Sequence, residues 1–179
     1  MNEKSTFWKS SITNGAILAI VLIIYSVLLY ILDLSTNKSL GYITYLFLIV
    51  GLWWFTKSYR DNNLGGNISY GQALGYATII VVVAALISSI YSYIFLKYID
   101  PSMIDKMAAL GEEEMLKQGM SDEQIEMTQS MGKKFMSPGF INIMGFIGTV
   151  IIGFLIALIT SAIVKKEGDP YKTAMKEVE

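Results

Sequence analysis

Four stretches of the chain carry no formal charge: the residues between Lys9 and Asp33, between Lys38 and Lys57, between Asp61 and Lys97, and between Lys134 and Lys165. Each is dominated by aliphatic and aromatic residues, interrupted mainly by small, hydroxyl or amide side chains. Uncharged runs of this length match the hydrocarbon thickness of a bilayer and have no place around an aqueous core. They predict membrane-spanning helices over about 10–32, 39–56, 70–96 and 138–164, with a helical extramembrane loop over 97–137. The fold class expected is all-α, one integral membrane bundle of four transmembrane helices spanning 1–179, with short amphipathic helices between spans 3 and 4. The first run is long for a signal-peptide core and no small-x-small cleavage site follows it before Asp33, so it is expected to remain as a span.

Local chemistry marks several ends. Gly65-Gly66 allows positive backbone dihedrals and closes the segment before the third span. Ser69 fits an N-cap with Gln72 three residues on, a capping box that starts the helix near Tyr70. Its far end falls near Asp100-Pro101, because the residue before proline is pushed out of the helical region. In the loop, Asp100 is placed to cap a helix with Pro101 at its first position, and Gly111 and Gly119 are candidate stops. Ser121 and Gln124 form a second capping box, with Asp122 and Glu123 on the positive helix end, for a helix from Asp122 to about Phe135.

Small residues recur every fourth position on the last span at Gly145, Thr149, Gly153, Ala157 and Ser161, which places them on one face. Membrane helices associate through such faces because lipid already satisfies apolar surface, leaving close contact as the driving force. The third span carries a shorter row at Ala84, Ser88 and Ser92, with Gly71 and Gly75 near its start. These two spans are expected to pack together, with a homodimer through the ridge as the rival. Ser88, Ser89 and Thr149 are expected to bond across helices. Tyr42, Tyr45, Trp53, Trp54, Phe55 and Tyr59 bracket the second span as an interfacial aromatic belt.

Composition narrows the chemistry. The 179 residues are 53% hydrophobic with a net charge of −1, and they include no cysteine and no histidine. That removes disulfides, thiolate nucleophiles, the usual general base and the usual metal ligands. No basic stripe calls for nucleic acid. Seven of the ten methionines fall in the 97–137 loop, with Met103 and Met107, and Met127 and Met131, one turn apart. Thioethers bind Cu(I), but without histidine or cysteine these methionines read as flexible apolar filler. No metal site and no cofactor are expected.

The terminal side of a four-span chain holds Lys4, Lys9, Lys57, Arg60, Lys165, Lys166, Lys172 and Lys176, against Lys38, Lys97, Lys106, Lys117, Lys133 and Lys134 opposite. The positive-inside tendency then puts both termini in the cytoplasm and the 97–137 loop outside.

The stretches Tyr59-Arg60-Asp61, Gly65-Gly66 and Ile68-Ser69-Tyr70-Gly71-Gln72-Ala73-Leu74, then Tyr91-Ser92-Tyr93-Ile94 and Tyr98-Ile99-Asp100-Pro101, carry a resemblance that covers nearly the whole chain. The sequence resembles a bacterial family of small four-span membrane proteins known as domain of unknown function 4199. The resemblance implies the fold and a bacterial inner membrane, and it implies no activity or catalytic residue.

The candidate site read from the residues is Lys57 and Arg60 beside the free amides of the third span, with Ser69 and Gln72. A helix start and an arginine there suit an anionic lipid headgroup, for instance the phosphate of a polyisoprenyl carrier offered to a glycosyltransferase. The same four residues also suffice as span anchors and caps. Nothing pairs a nucleophile with a base, and no span holds an ionisable residue of the kind transporters use. The function expected is a non-enzymatic accessory or structural membrane protein. Its partners would be the lipid bilayer and another membrane protein or a second copy of the chain, with a small transporter as the alternative.

Overall fold

The computed structural model describes residues 3–132 and 135–167. Lys133, Lys134, Lys172 and Lys176, which enter the charge comparison, lie outside the described residues, as do the side chains of Lys4 and Met131. Among the described residues, seven α-helices follow one another: α1 Glu3–Ile31, α2 Lys38–Gly41, α3 Ile43–Asn63, α4 Tyr70–Ile94, α5 Ser102–Lys117, α6 Asp122–Gly132 and α7 Pro138–Val164, with a π-helical turn at Phe95–Ile99 after α4. Four helical segments among the described residues are long and apolar enough to cross a membrane: Ser5–Ile31, Lys38–Asn63, Tyr70–Ile99 and Pro138–Val164. They make an all-α bundle in which α4 packs mainly against α1 and α7, while α3 touches α1, α4 and α7.

Many aliphatic side chains on α1 and α7 point away from the bundle. Ile12, Ile20, Ile24 and Leu28 on α1 and Ile143, Ile151, Leu155 and Ile159 on α7 are all exposed. A chain folded for water would cover such bands, whereas lipid satisfies them without further packing.

The core is built around α4, whose buried residues Ala73, Tyr76, Ala77, Ile80, Val81, Ala84 and Ala85 recur at helical spacing. Gly15 on α1 lets that helix close on Val83, since a Cβ there would lie 2.7 Å from Val83 Cβ. Gly153 does the same for α7, because its Cβ would overlap Cγ1 of Val81. α4 and α7 therefore pack against each other, as the small residues suggested.

The expected row is longer than the contact. Gly153, Ala157 and Ser161 are buried, but Thr149 is only partly covered and Gly145 is exposed with nothing within 4 Å of its would-be Cβ. The two helices are tight toward the terminal side and part toward the loop side.

Several expected ends form. The Ser69 hydroxyl accepts from the Gln72 amide while the Gln72 side chain accepts from the Ser69 amide, completing the capping box of α4. The Ser121–Gln124 box forms likewise before α6. Gly119 takes φ 79° and ends the α5 region.

Others differ. α3 runs two turns beyond Phe55 to Asn63, because Thr56 and Tyr59 continue the buried face set by Leu48 and Leu52. Tyr59 is thus core and not belt. Gly111 sits inside α5, where neighbouring helix formers carry the helix across it. Asp100 does not cap α5: its carboxylate accepts from the Ser102 hydroxyl, and the Met103 amide bonds to the Asp100 carbonyl. The chain reaches that turn in π form, with the Asp100 amide bonded to the Phe95 carbonyl at 2.9 Å.

A clasp closes the terminal side. Ile68, buried between α3 and α4, exchanges two backbone hydrogen bonds with Lys166 after α7, at 2.9 and 3.0 Å. Arg60 reinforces it. Its guanidinium donates to both oxygens of Asp61 and, at 2.9 Å, to the Val164 carbonyl at the end of α7. Arg60→Ala is expected to destabilise the protein by about 1–3 kcal/mol, because it orphans the carbonyl and removes charge-assisted bonds. Thermal unfolding in detergent would read this as a lower midpoint, and an unchanged midpoint would mean that the clasp holds without the arginine.

Candidate functional site

The terminal half of the bundle is packed around Tyr76. Tyr76 is fully buried and stacks on Tyr59 with ring centroids 4.1 Å apart, while Phe7 meets both rings edge-on. The Asn14 amide donates to the Tyr76 hydroxyl at 2.7 Å, and the Ser10 hydroxyl lies 2.6 Å from the same oxygen. Buried polar atoms inside a span must find partners within the protein, and this trio does so.

The four residues singled out from sequence lie on this closed side. Arg60 is committed to Asp61 and Val164, with its side chain 15% exposed. The Lys57 ammonium sits 4.8 Å over the Trp53 ring. Ser69 and Gln72 are engaged with each other in the capping box. The structure brings Arg60 to the clasp and not into a cleft shared with Lys57.

The loop half is different. Between the loop-side parts of α1, α3, α4 and α7, and under α5, lies a cavity of about 580 Å³. Small-molecule sites commonly fall in this size range and combine apolar walls with a few polar groups. Its existence follows from side-chain size. α4 presents Ala84, Ala85, Ser88 and Ser92, and α7 presents Thr149, none large enough to fill the gap left where the two helices part.

Along α4 the lining runs from Val81 to Leu96, which at the rise of an α-helix is about 22 Å. That is longer than one leaflet's hydrocarbon, roughly 15 Å. The deep end is shut where Val81 meets Gly153 and where Leu48 is buried against the core. The other end opens at the turn containing Ser35, Thr36, Asn37 and Lys38, all exposed.

Its chemistry is apolar with scattered hydroxyls. Leu22, Ile23, Leu110, Met103, Met107 and Ile141 supply hydrocarbon surface. Met103, one of the two loop methionines here, is itself buried. The Tyr91 hydroxyl meets Ser26 across α1 and α4. Ser88 has a buried Oγ with no hydrogen-bond partner among the described residues. Ser88 and Thr149 were expected to bond across helices, yet they face the cavity, because α7 has already swung away from α4 at their level. Lys38, at the mouth, is the one charged residue among the described lining residues.

The sequence held only a faint trace of this site. Hydroxyl residues at Ser88, Ser92 and Thr149 continue the small-residue rows, and nothing local distinguishes a packed small residue from one beside a void. Among the described residues, no group of three or more Asp, Glu, Cys or His residues is placed to hold a metal ion.

No curated protein and no solved structure matches this chain. A family model described as a protein of unknown function, DUF4199, matches residues 13–166, a range that includes the cavity, the Asn14–Tyr76 contact and both residues of the Ile68–Lys166 bridge. The chain belongs to that family.

Proposed function

We propose that this chain is a non-catalytic, multi-pass protein of a bacterial cytoplasmic membrane, with cytoplasmic termini, that holds the hydrocarbon chain of a lipid-like amphiphile in its loop-side cavity. The observation that carries this reading is the shape and lining of that cavity: an apolar cleft about 22 Å long, closed at mid-bundle and uncharged except at its mouth. In a membrane, an apolar void open at one end is filled most favourably by hydrocarbon, since water there would find few partners. The Ser88 hydroxyl offers one hydrogen bond to a polar link in the ligand.

A transporter is less well supported, because a through-path would have to open the contact between Val81 and Gly153 and the aromatic stack below it. Enzymatic chemistry is less well supported as well, since the lining offers hydroxyls without a base to activate them. An accessory role, presenting a lipid to a membrane enzyme, fits a binding site that does no chemistry.

Filling the cavity from either wall tests the proposal. Ser88→Phe and Thr149→Phe are each expected to lower retention of added phospholipid at least tenfold in native mass spectrometry of detergent-purified protein. Leu155→Phe, on the outward face of α7, is expected to change nothing. Retention equal to wild type in both cavity variants would remove the proposal.

A further inference from the structure

We propose that the amphiphile held here carries a zwitterionic headgroup, a phosphate beside an ammonium, which Lys38 and Glu114 read as a pair at the cavity mouth. This rests on the cavity being a hydrocarbon site and adds the class of head attached to the chain.

Lys38 lines the mouth, and its ammonium is bonded to the Glu114 carboxylate on α5. Glu114 stands one helical turn beyond Leu110, which lines the cavity, so the carboxylate belongs to the same rim. This pair is the only ion pair or side-chain hydrogen bond joining α5 to the α1–α3 connection among the described residues. Both side chains remain open to solvent, 64% and 45% exposed. An exposed ion pair adds little to stability, so its members exchange partners readily. The hydrogen bond from Lys38, together with its charge, holds the Glu114 carboxyl below the usual carboxylate range.

A zwitterionic head exchanges with this pair without leaving a charge over: its phosphate takes Lys38 and its ammonium takes Glu114. Other heads do not. An anionic head that takes Lys38 leaves Glu114 unpaired next to Glu113, which is itself held by Lys117 at 2.7 Å. The next cation on α5, Lys106, already faces Asp100 at 3.6 Å and offers no spare charge. An uncharged head gains nothing from the pair. Because the pair also ties α5 over the opening, the exchange that admits the head releases the cover at the same moment.

Three probes with identical acyl chains separate these cases on the full chain in mild detergent, followed by native mass spectrometry: a diacyl phosphoethanolamine, a diacyl phosphoglycerol and a diacylglycerol. Wild type is expected to retain the phosphoethanolamine at least fivefold better than either of the others. Glu114→Gln should move the preference to the phosphoglycerol, and Lys38→Gln should reduce phosphoethanolamine retention to that of diacylglycerol while leaving diacylglycerol retention as in wild type. Equal retention of all three probes by wild type, with Ser88→Phe still lowering it, overturns the headgroup assignment and leaves hydrocarbon binding standing. Retention of none of the three overturns both.

Discussion

Tyr76→Ala will destabilise the bundle by about 3–5 kcal/mol, the range seen when a fully buried aromatic ring is removed. The ring is completely covered, lies flat on Tyr59 and takes the edge of Phe7, so its loss opens a void that α1, α3 and α4 all line. The substitution also strands the Asn14 amide and the Ser10 hydroxyl, whose partner is the Tyr76 oxygen. Tyr76→Phe isolates that second part. It keeps the stack and removes only the hydroxyl, for an expected loss of about 1–3 kcal/mol from the orphaned groups. Replacing the partners too, by adding Ser10→Ala and Asn14→Leu to Tyr76→Phe, should recover most of that loss, because apolar groups leave nothing unsatisfied. Unfolding followed by tryptophan fluorescence in mixed micelles gives these differences. If the triple variant proves less stable than Tyr76→Phe, the polar trio contributes stability of its own and the orphan argument is wrong.

The second large effect is expected at Gly153. The smallest side chain there would overlap Val81, whose Cβ lies 3.3 Å from where a glycine Cβ would stand. Gly153→Leu should therefore force α7 off α4 at a cost of about 3 kcal/mol, the upper part of the range for overpacked sites. Two comparisons make the cause specific. Gly145→Leu, on the same ridge, meets open space and should leave the unfolding midpoint unchanged. Val81→Ala should rescue Gly153→Ala, since it removes the methyl groups that the new side chain strikes. A destabilised Gly145→Leu equal to Gly153→Leu would show that α7 packs along its whole ridge, and the cavity between the helices would then have no place.

The two substitutions also bear on how the halves of the molecule divide their work. The terminal half is stapled by the Ile68–Lys166 bridge, the Arg60 fork and the Tyr59–Tyr76 stack. That leaves the loop half free to be loosely filled. A membrane bundle has no hydrophobic force squeezing its helices together, so a void bounded by small side chains persists where the walls are held apart by packing elsewhere. Here the packing elsewhere is below Val81.

How much of this was legible before the fold was known depended on the range of each interaction. Charge-free runs were the most readable feature, because the cost of placing a charge in hydrocarbon is paid residue by residue; four candidate spans and an all-α bundle followed from that alone. Capping at Ser69 and Ser121 was equally readable, since the reciprocal bonds join residues three apart. The contact between α4 and α7 was readable as a tendency. Which part of the row made it was not, for Gly145 and Gly153 look alike in sequence and differ only in whether Val81 stands opposite.

Arg60 shows the same boundary from the other side. Its pairing with Asp61 is local, but its bond to the Val164 carbonyl joins residues 104 apart and depends on where α7 ends in space. Ser88 and Thr149, read as interhelical bonding groups, face a cavity because the helices diverge, and Lys38 meets Glu114 because α5 folds back over the mouth. By itself the sequence determined the four long apolar helices and the helix starts at Ser69 and Ser121, all of which are sums of short-range terms. Only the tertiary structure decided which small residues pack and which border a void, because that depends on what lies across the gap, and distance along the chain carries no record of it.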